Sequence, residues 1–198
     1  MSHLVIGQVS QYLRHALWLG LSSDPVTKQQ VTSEPNIVLS NPSQPAGNAN
    51  VVRQLSLWLY QVLPNEHLRN APAARTRDAK GDDTTEFYPP LTLNLYYLLT
   101  PSTGNDLGDQ QVLGRALQVF HDQSILRMES TQSPDRAEEL HISLAPRTIE
   151  ELAEVWEAMQ QPYRLSVCYE VRSARIDSLR RLSGGRVTDR ESRFEAVA

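Results

Sequence analysis

The residues of this chain that could do chemistry are few and poorly grouped. Five histidines, His3, His15, His67, His121 and His141, show neither the HxH nor the HxxxH spacing that brings two imidazoles onto one side of a strand or helix for a metal. Cys168, the single cysteine, excludes an internal disulfide and a thiolate zinc cage. Its place in an alternating run marks it as a buried core thiol rather than a nucleophile. Asp82, Asp83 and Glu86 cluster, but without the alternating oxygen ligands and central glycine of a calcium loop. No G-x-S-x-G elbow occurs, and neither Gly104 nor Gly184-Gly185 leads into the Lys-Ser or Lys-Thr of a phosphate-cradling loop. Glu150 and Glu151 suit a helix N-terminus, where the macrodipole favours negative charge. Trp58, Tyr60, Tyr96 and Tyr97 lie on neighbouring expected strands, where they would either line a ligand groove or pack in the core. This inventory gives no catalytic residue, no metal site and no cofactor. It points to a protein that works through its surfaces.

The elements that would position such surfaces are strongly marked. In PPLTLNLYYLLT, Leu91, Leu93, Leu95, Tyr97 and Leu99 alternate, which predicts a strand over Leu91–Thr100 with all five on one face. A turn at Pro101–Asn105 precedes a helix over Asp106–Asp122, with Leu113, Ala116, Leu117 and Phe120 at i, i+3, i+4, i+7. A strand over Glu139–Leu144 turns Leu140, Ile142 and Leu144 inward. Thr148-Ile149-Glu150-Glu151 is a capping box, and the helix it opens presents Leu152, Val155, Trp156 and Met159 before stopping at Pro162. A last strand, Tyr163–Val171, continues through Ala174 to Ile176.

Upstream, Val5, Val9, Leu13, Leu17 and Leu21 recur every four residues and predict a helix over Leu4–Leu21 that ends near Gly20. Ser22–Asn50 is rich in Pro, Ser, Asn and Gln, with Pro25, Pro35, Pro42 and Pro45 each barring a helix interior. Only Asn36–Leu39 there reads as a strand. Val51–Val62 predicts another strand, with Leu55, Leu57 and Leu59 on one face and Ser56, Trp58 and Tyr60 on the other. Leu63–Tyr88 mixes charges without periodicity and predicts a mobile projecting loop that orders on contact. The expected fold is α/β (α+β): one domain over residues 1–176, with a mixed, mostly antiparallel sheet flanked by about three helices and a long loop, then an extended C-terminal arm over residues 177–198.

A chain of 198 residues suits one such domain, and 40% apolar against 21% charged residues is the balance of a folded protein. Gln11, Arg14 and His15 interrupt the apolar N-terminus, and no run approaches the roughly 18 apolar residues of a membrane span, so neither a signal peptide nor a span is expected. One cysteine suits synthesis in a reducing cytoplasm. The net charge is −4, yet seven Arg face four acids from Arg172 onward, leaving a basic tail on an acidic body. Seventeen Arg against two Lys reflects either genomic composition or a use of Arg for bidentate pairing at interfaces. The balance is wrong for a dedicated nucleic-acid binder.

The runs LWLYQVLPNEHLRN, PPLTLNLYYLLT, VLGRALQVFHDQSIL and LHISLAPRTIEELAEVWEAMQQPYRLSVCYEVR, in this order, resemble the tail-terminator, or cap, family of contractile phage-tail-like injection systems. That family is known from virulence-cassette and antifeeding-prophage particles, and the resemblance extends from the first helix to about Ile176. It implies an α/β fold and a non-enzymatic role. The protein would form a ring, six-fold in relatives, that sits on the distal end of an inner tube and contractile sheath and stops both from growing. It implies a homo-oligomer with the inner tube protein and the contractile sheath protein as partners, without cofactor, nucleic acid or membrane. Assembly would take place in the bacterial cytoplasm, before the chain becomes part of a particle. A closed head-to-tail ring requires two different, complementary patches. Trp18, Trp58 and the outward face of the Tyr96 strand are candidate apolar contributors.

On length, irregularity and charge, Arg186–Phe194 is expected to approach the last sheath layer by strand addition, and the Asn65–Tyr88 loop the last tube ring. The candidate contact residues are Arg69, Arg75, Arg77 and Lys80 in the loop, and Arg180, Arg181, Arg186, Arg190, Arg193 and Phe194 in the arm. Two other readings stay open: a neck or baseplate component, and a small-molecule binding domain or hydrolase around Tyr60 and Tyr97.

Overall fold

The computed structural model describes residues 2–43, 54–68, 74–77, 84–129 and 137–182. In chain order the main elements are α1 (Val5–Ser23), α2 (Pro25–Gln30), β1 (Ile37–Val38), β2 (Leu55–Pro64), β3 (Ala74–Arg77), β4 (Thr84–Phe87), β5 (Leu91–Pro101), α3 (Asp106–Asp122), β6 (Ile125–Glu129), β7 (Ala137–Leu144), α4 (Ile149–Ala158), β8 (Val167–Ile176) and β9 (Arg181–Leu182). Six strands form one sheet in the order β1-β2-β5-β8-β7-β6, and three form a small sheet, β3-β4-β9. Every pairing is antiparallel except β1 with β2. The sheet is therefore mixed and mostly antiparallel, as the sequence predicts.

One face of the main sheet carries the larger core. The α1 stripe of Val5, Val9, Leu13, Leu17 and Leu21 is buried against Leu55, Leu57, Leu95, Tyr97 and Leu99 of the sheet and against Val112, Ala116 and Phe120 of α3. Full burial stabilises each such aliphatic side chain by roughly 1.5–3 kcal/mol, which explains why the four-residue spacing was so legible. Phe120 meets Tyr169 edge to face, with ring centroids 4.8 Å apart. Tyr97, fully buried, shares a 2.9 Å hydrogen bond with Ser10. The second face carries a smaller core in which Leu152 and Trp156 of α4 cover Leu98 and Cys168.

Several expectations are corrected. The first helix does not stop at Gly20. It runs on to Ser23, and Gly20 serves instead as the point where α1 and α3 approach, because a Cβ there would collide with Val119. Arg115 of α3 fastens the contact, donating to the Gly20 carbonyl at 3.1 Å and to Ser23 Oγ at 3.0 Å. Pro25 does not prevent a helix but begins one. Asp24 Oδ1 caps α2 by accepting the Val26 and Thr27 amides at 3.0 and 2.9 Å, and proline at the first helical position forfeits only an amide that has no partner there anyway.

Leu91 and Leu144, expected inward, are each 52% exposed, because they sit at strand ends where no helix covers them. β8 begins at Val167 rather than Tyr163. β6 was not foreseen, since in Ile125-Leu126-Arg127-Met128-Glu129 only Leu126 and Met128 alternate with charged residues, too short a run to stand out. The Leu63–Tyr88 stretch, expected to be an irregular loop, carries the end of β2 and the β3–β4 pair.

Two register shifts flank β5. One, between Leu59 and Gln61 of β2, lets Tyr60 and Gln61 both lie on the α4 face. The other sets Leu95 opposite Val171 and Leu93 opposite Ala174, leaving Arg172 and Ser173 as the bulged pair.

Candidate assembly interface

The α4 face of the sheet is where the singled-out aromatics gather. The capping box forms as read: Thr148 Oγ1 accepts the Glu151 amide at 3.3 Å, and Glu151 Oε2 accepts the Thr148 amide at 2.9 Å. Arg147 pairs with Glu151 at 3.1 Å and holds its guanidinium 5.8 Å from the centre of the Tyr96 ring. Trp58, Tyr60 and Tyr96 form a row with centroid spacings of 6.1 and 6.4 Å. Beside it runs an open groove of about 380 Å³, lined in part by Tyr60, Arg147, Glu151, Val155 and Cys168.

Burial raises the pKa of both the Tyr60 hydroxyl and the Cys168 thiol, so neither is readied as an anion at neutral pH. Tyr97 lies on the opposite face of β5, its hydroxyl pushed up to about 12 by burial, so Tyr60 and Tyr97 cannot line one groove. Among the described residues, no group of three or more His, Cys, Asp or Glu is placed to hold a metal ion. No described helix is long and apolar enough to cross a membrane.

A polar cluster that the sequence reading missed lies beyond α4 on this same face. Glu170 is 8% exposed; its Oε1 accepts Asn94 Nδ2 at 2.9 Å and the Tyr96 hydroxyl at 2.8 Å, and its Oε2 accepts Arg172 Nε at 2.8 Å. Asn65, also buried, extends the network by donating to Asn94 Oδ1 at 2.9 Å and accepting the His67 and Leu68 amides. The signal was present: Cys168, Glu170 and Arg172 share one face of an alternating strand, so a carboxylate had to lie beside a buried thiol.

Burial pulls the Glu170 carboxyl upward, but the bonds from Arg172 and Tyr96 outweigh it, and the net pKa falls below 4.5. A depressed folded-state pKa stabilises the fold fully above the unfolded value and loses that contribution as pH falls through the folded one. Glu170→Gln should therefore cost about 1–3 kcal/mol at pH 7. Solvent screens the exposed Arg172 and keeps the loss from being larger. Urea midpoints of the two proteins should converge as the pH falls through and below the lowered carboxyl pKa of the folded state; a gap that stays constant with pH would contradict the assignment.

The small sheet collects part of the predicted contact set. Arg75 and Arg77 lie on β3, opposite Glu86 and Thr84 of β4, and Arg181 lies on β9, opposite Phe87. Arg180, just before β9, stacks its guanidinium 4.4 Å from the centre of the Tyr88 ring, and its carbonyl accepts the Tyr88 amide at 3.0 Å. The start of the predicted arm is thus hydrogen-bonded to the predicted loop. Arg69, Lys80, Arg186, Arg190, Arg193 and Phe194 lie outside the described residues, as do Asp82, Asp83 and the Gly184-Gly185 pair.

A family model described as the Pvc16 N-terminal domain matches residues 8–190. No curated protein matches the chain. Among solved structures, the sheath/tube terminator of PVC, an extracellular contractile injection system, in its extended state, has the same fold, with a TM-score of 0.53 and 18% identity over 82% of this chain and 56% of that one. The tube-terminating cap of the anti-feeding prophage matches more weakly, with a TM-score of 0.45 and 19% identity over 72% of this chain and 48% of that one. The chain spans about half the length of these structures.

Proposed function

The chain belongs to the Pvc16 N-terminal domain family, and on that premise we propose that it is a structural cap on the inner tube and contractile sheath of a phage-tail-like injection particle. The observation that carries this reading is the fold it shares, over most of its length, with a sheath/tube terminator. Such a cap acts without making or breaking a bond. It satisfies the rim of the last tube and sheath layers while presenting no rim of the same kind, so that no further subunit adds.

In this reading the assembled protein is a ring, six-fold as the resemblance implies. It assembles on the tube in the bacterial cytoplasm and leaves as part of an extracellular particle. Residues 183–198, with Arg186, Arg190, Arg193 and Phe194, engage the sheath by strand addition.

The decisive experiment is positional. An epitope-tagged copy should label particles only at the tip away from the baseplate in negative-stain images. Label at the neck or baseplate would replace the cap reading with another assembly role. Truncation after Ser183 keeps β9 intact and should leave the melting curve unchanged while yielding overlong or uncapped sheaths. Particles of normal length from that truncation would remove the arm from the mechanism.

A further inference from the structure

We propose that the open edge of β2 and the groove beside it take one extended peptide segment of a different protein, which adds a strand to the main sheet and sets an arginine or lysine side chain between Tyr60 and Glu154. This goes beyond the cap reading and does not depend on it.

The main sheet ends in two strands of different character. β6, at one end, is five residues long and carries Arg127 and Glu129, charges of the kind that discourage further pairing. Toward the other end β2 runs for ten residues, LSLWLYQVLP, without a charge. β1 pairs only with Leu55 and Ser56, and among the described residues no strand lies beside residues 57–63 of β2. That leaves roughly 23 Å of edge, at about 3.3 Å per residue. Pro64, with no amide to offer, closes it.

The ladder fixes which groups point outward. The Asn65 amide donates to the Thr92 carbonyl at 2.8 Å, so the positions bonded to β5 fall back in twos to Leu63 and Gln61, and Val62 between them turns its amide and carbonyl to the open side. Val62 and Leu63 are also 39% and 40% exposed, apolar surface left uncovered at the same edge.

The groove runs alongside. Tyr60 and Gln61 form one wall, because the register shift sends both to this face, and Glu151, Glu154 and Val155 of α4 line the other. Arg147 is matched by Glu151 at 3.1 Å, whereas Glu154 is exposed and has no ion-pair partner among the described residues. The groove thus holds one negative charge in excess, which selects a cation. An arginine or lysine entering it lays its aliphatic stem along Val155 and the Tyr60 ring and brings its charge to Glu154. Main-chain bonds to the edge supply affinity and the groove supplies choice, the division of labour of strand addition.

The test uses the full chain and blocked seven-residue peptides. TVTRTVT should change the fluorescence of Trp58, whose ring centroid is 6.1 Å from that of Tyr60, with a Kd of about 100 μM or tighter, and should slow hydrogen exchange at the Val62 amide. TVTETVT should bind at least about tenfold more weakly. A strand shows only alternate amides to its neighbour, so of two N-methylated forms of TVTRTVT, one methylated at the threonines and one at the other residues, at least one should lose about tenfold. Glu154→Lys should keep the wild-type circular dichroism and reverse the preference between the arginine and glutamate peptides. No binding at about 1 mM, a preference that Glu154→Lys leaves unchanged, or two methylated forms that bind like the parent would overturn the proposal. So would Val62 protection that appears on concentrating the chain without peptide, which would give the edge to a second copy. Tip labelling of particles is read separately, so either reading can fail alone.

Discussion

Trp156→Ala should lower the stability of the domain by about 3–5 kcal/mol, the cost of emptying a buried aromatic site. For a chain of this size that corresponds to a fall in Tm of roughly 10 °C or more. Trp156 is 1% exposed and is the largest side chain holding α4 to the sheet, where it packs with Leu98, Leu152 and Cys168. Its indole Nε1 donates to Ser166 Oγ at 3.1 Å, and Ser166 in turn donates to the Arg164 carbonyl at 3.1 Å, so the same residue fixes where β8 begins.

A ten-residue helix is marginal by itself, so α4 depends on this contact more than α1 depends on any one of its stripe residues. Trp156→Phe retains much of the area but loses the hydrogen bond, and should cost about 1–2 kcal/mol. Hydrogen exchange on Trp156→Ala should show the α4 amides losing protection before those of α1. A Tm within about 2 °C of wild type would mean that α4 is held by something other than its indole.

Gly20→Leu is the second large effect, expected near 3 kcal/mol or above, because the new side chain must displace Val119 and with it the α1–α3 contact. Even Gly20→Ala sets two opposing effects against each other. Helix propensity favours alanine by about 1 kcal/mol, but the added carbon lands on a β-branched side chain that has few rotamers to retreat into. The collision should win. Gly20→Ala with Val119→Ala should then recover stability beyond the sum of the single changes, a coupling measurable from urea midpoints. A Gly20→Ala protein more stable than wild type would show that the two helices can separate without loss.

What the sequence made legible follows from what burial writes into it. The α1 stripe, the α3 spacing, the capping box of α4 and the alternation along β5 each place apolar residues on one side of a regular element, and each was readable for that reason. Element ends were less so. Gly20 has the look of a stop signal and is a point of close approach, and Pro25 has the look of a breaker and is a first helical residue. β6, β3 and β4 carry little burial signal of their own because their positions come from pairing with a neighbour, which one strand's pattern does not contain. Alternation along β8 set Glu170 and Arg172 beside Cys168, but the partners Asn94 and Tyr96 were hidden for a related reason, since they reach Glu170 only once β5 and β8 are in register.

The pairing of β9 with β4 has a mechanical corollary. Any pull transmitted through residues 183–198 reaches the body first at Arg181 and Leu182, whose strand among the described residues pairs with β4 alone, whereas β8 behind them is laced to β5 and β7 along much of its length. Under tension the two-residue strand would peel away while the sheet stayed whole, like a tear-off tab in front of a seam. A load at the tail would thus be felt as the release of one short strand, and the fold behind it would survive the event.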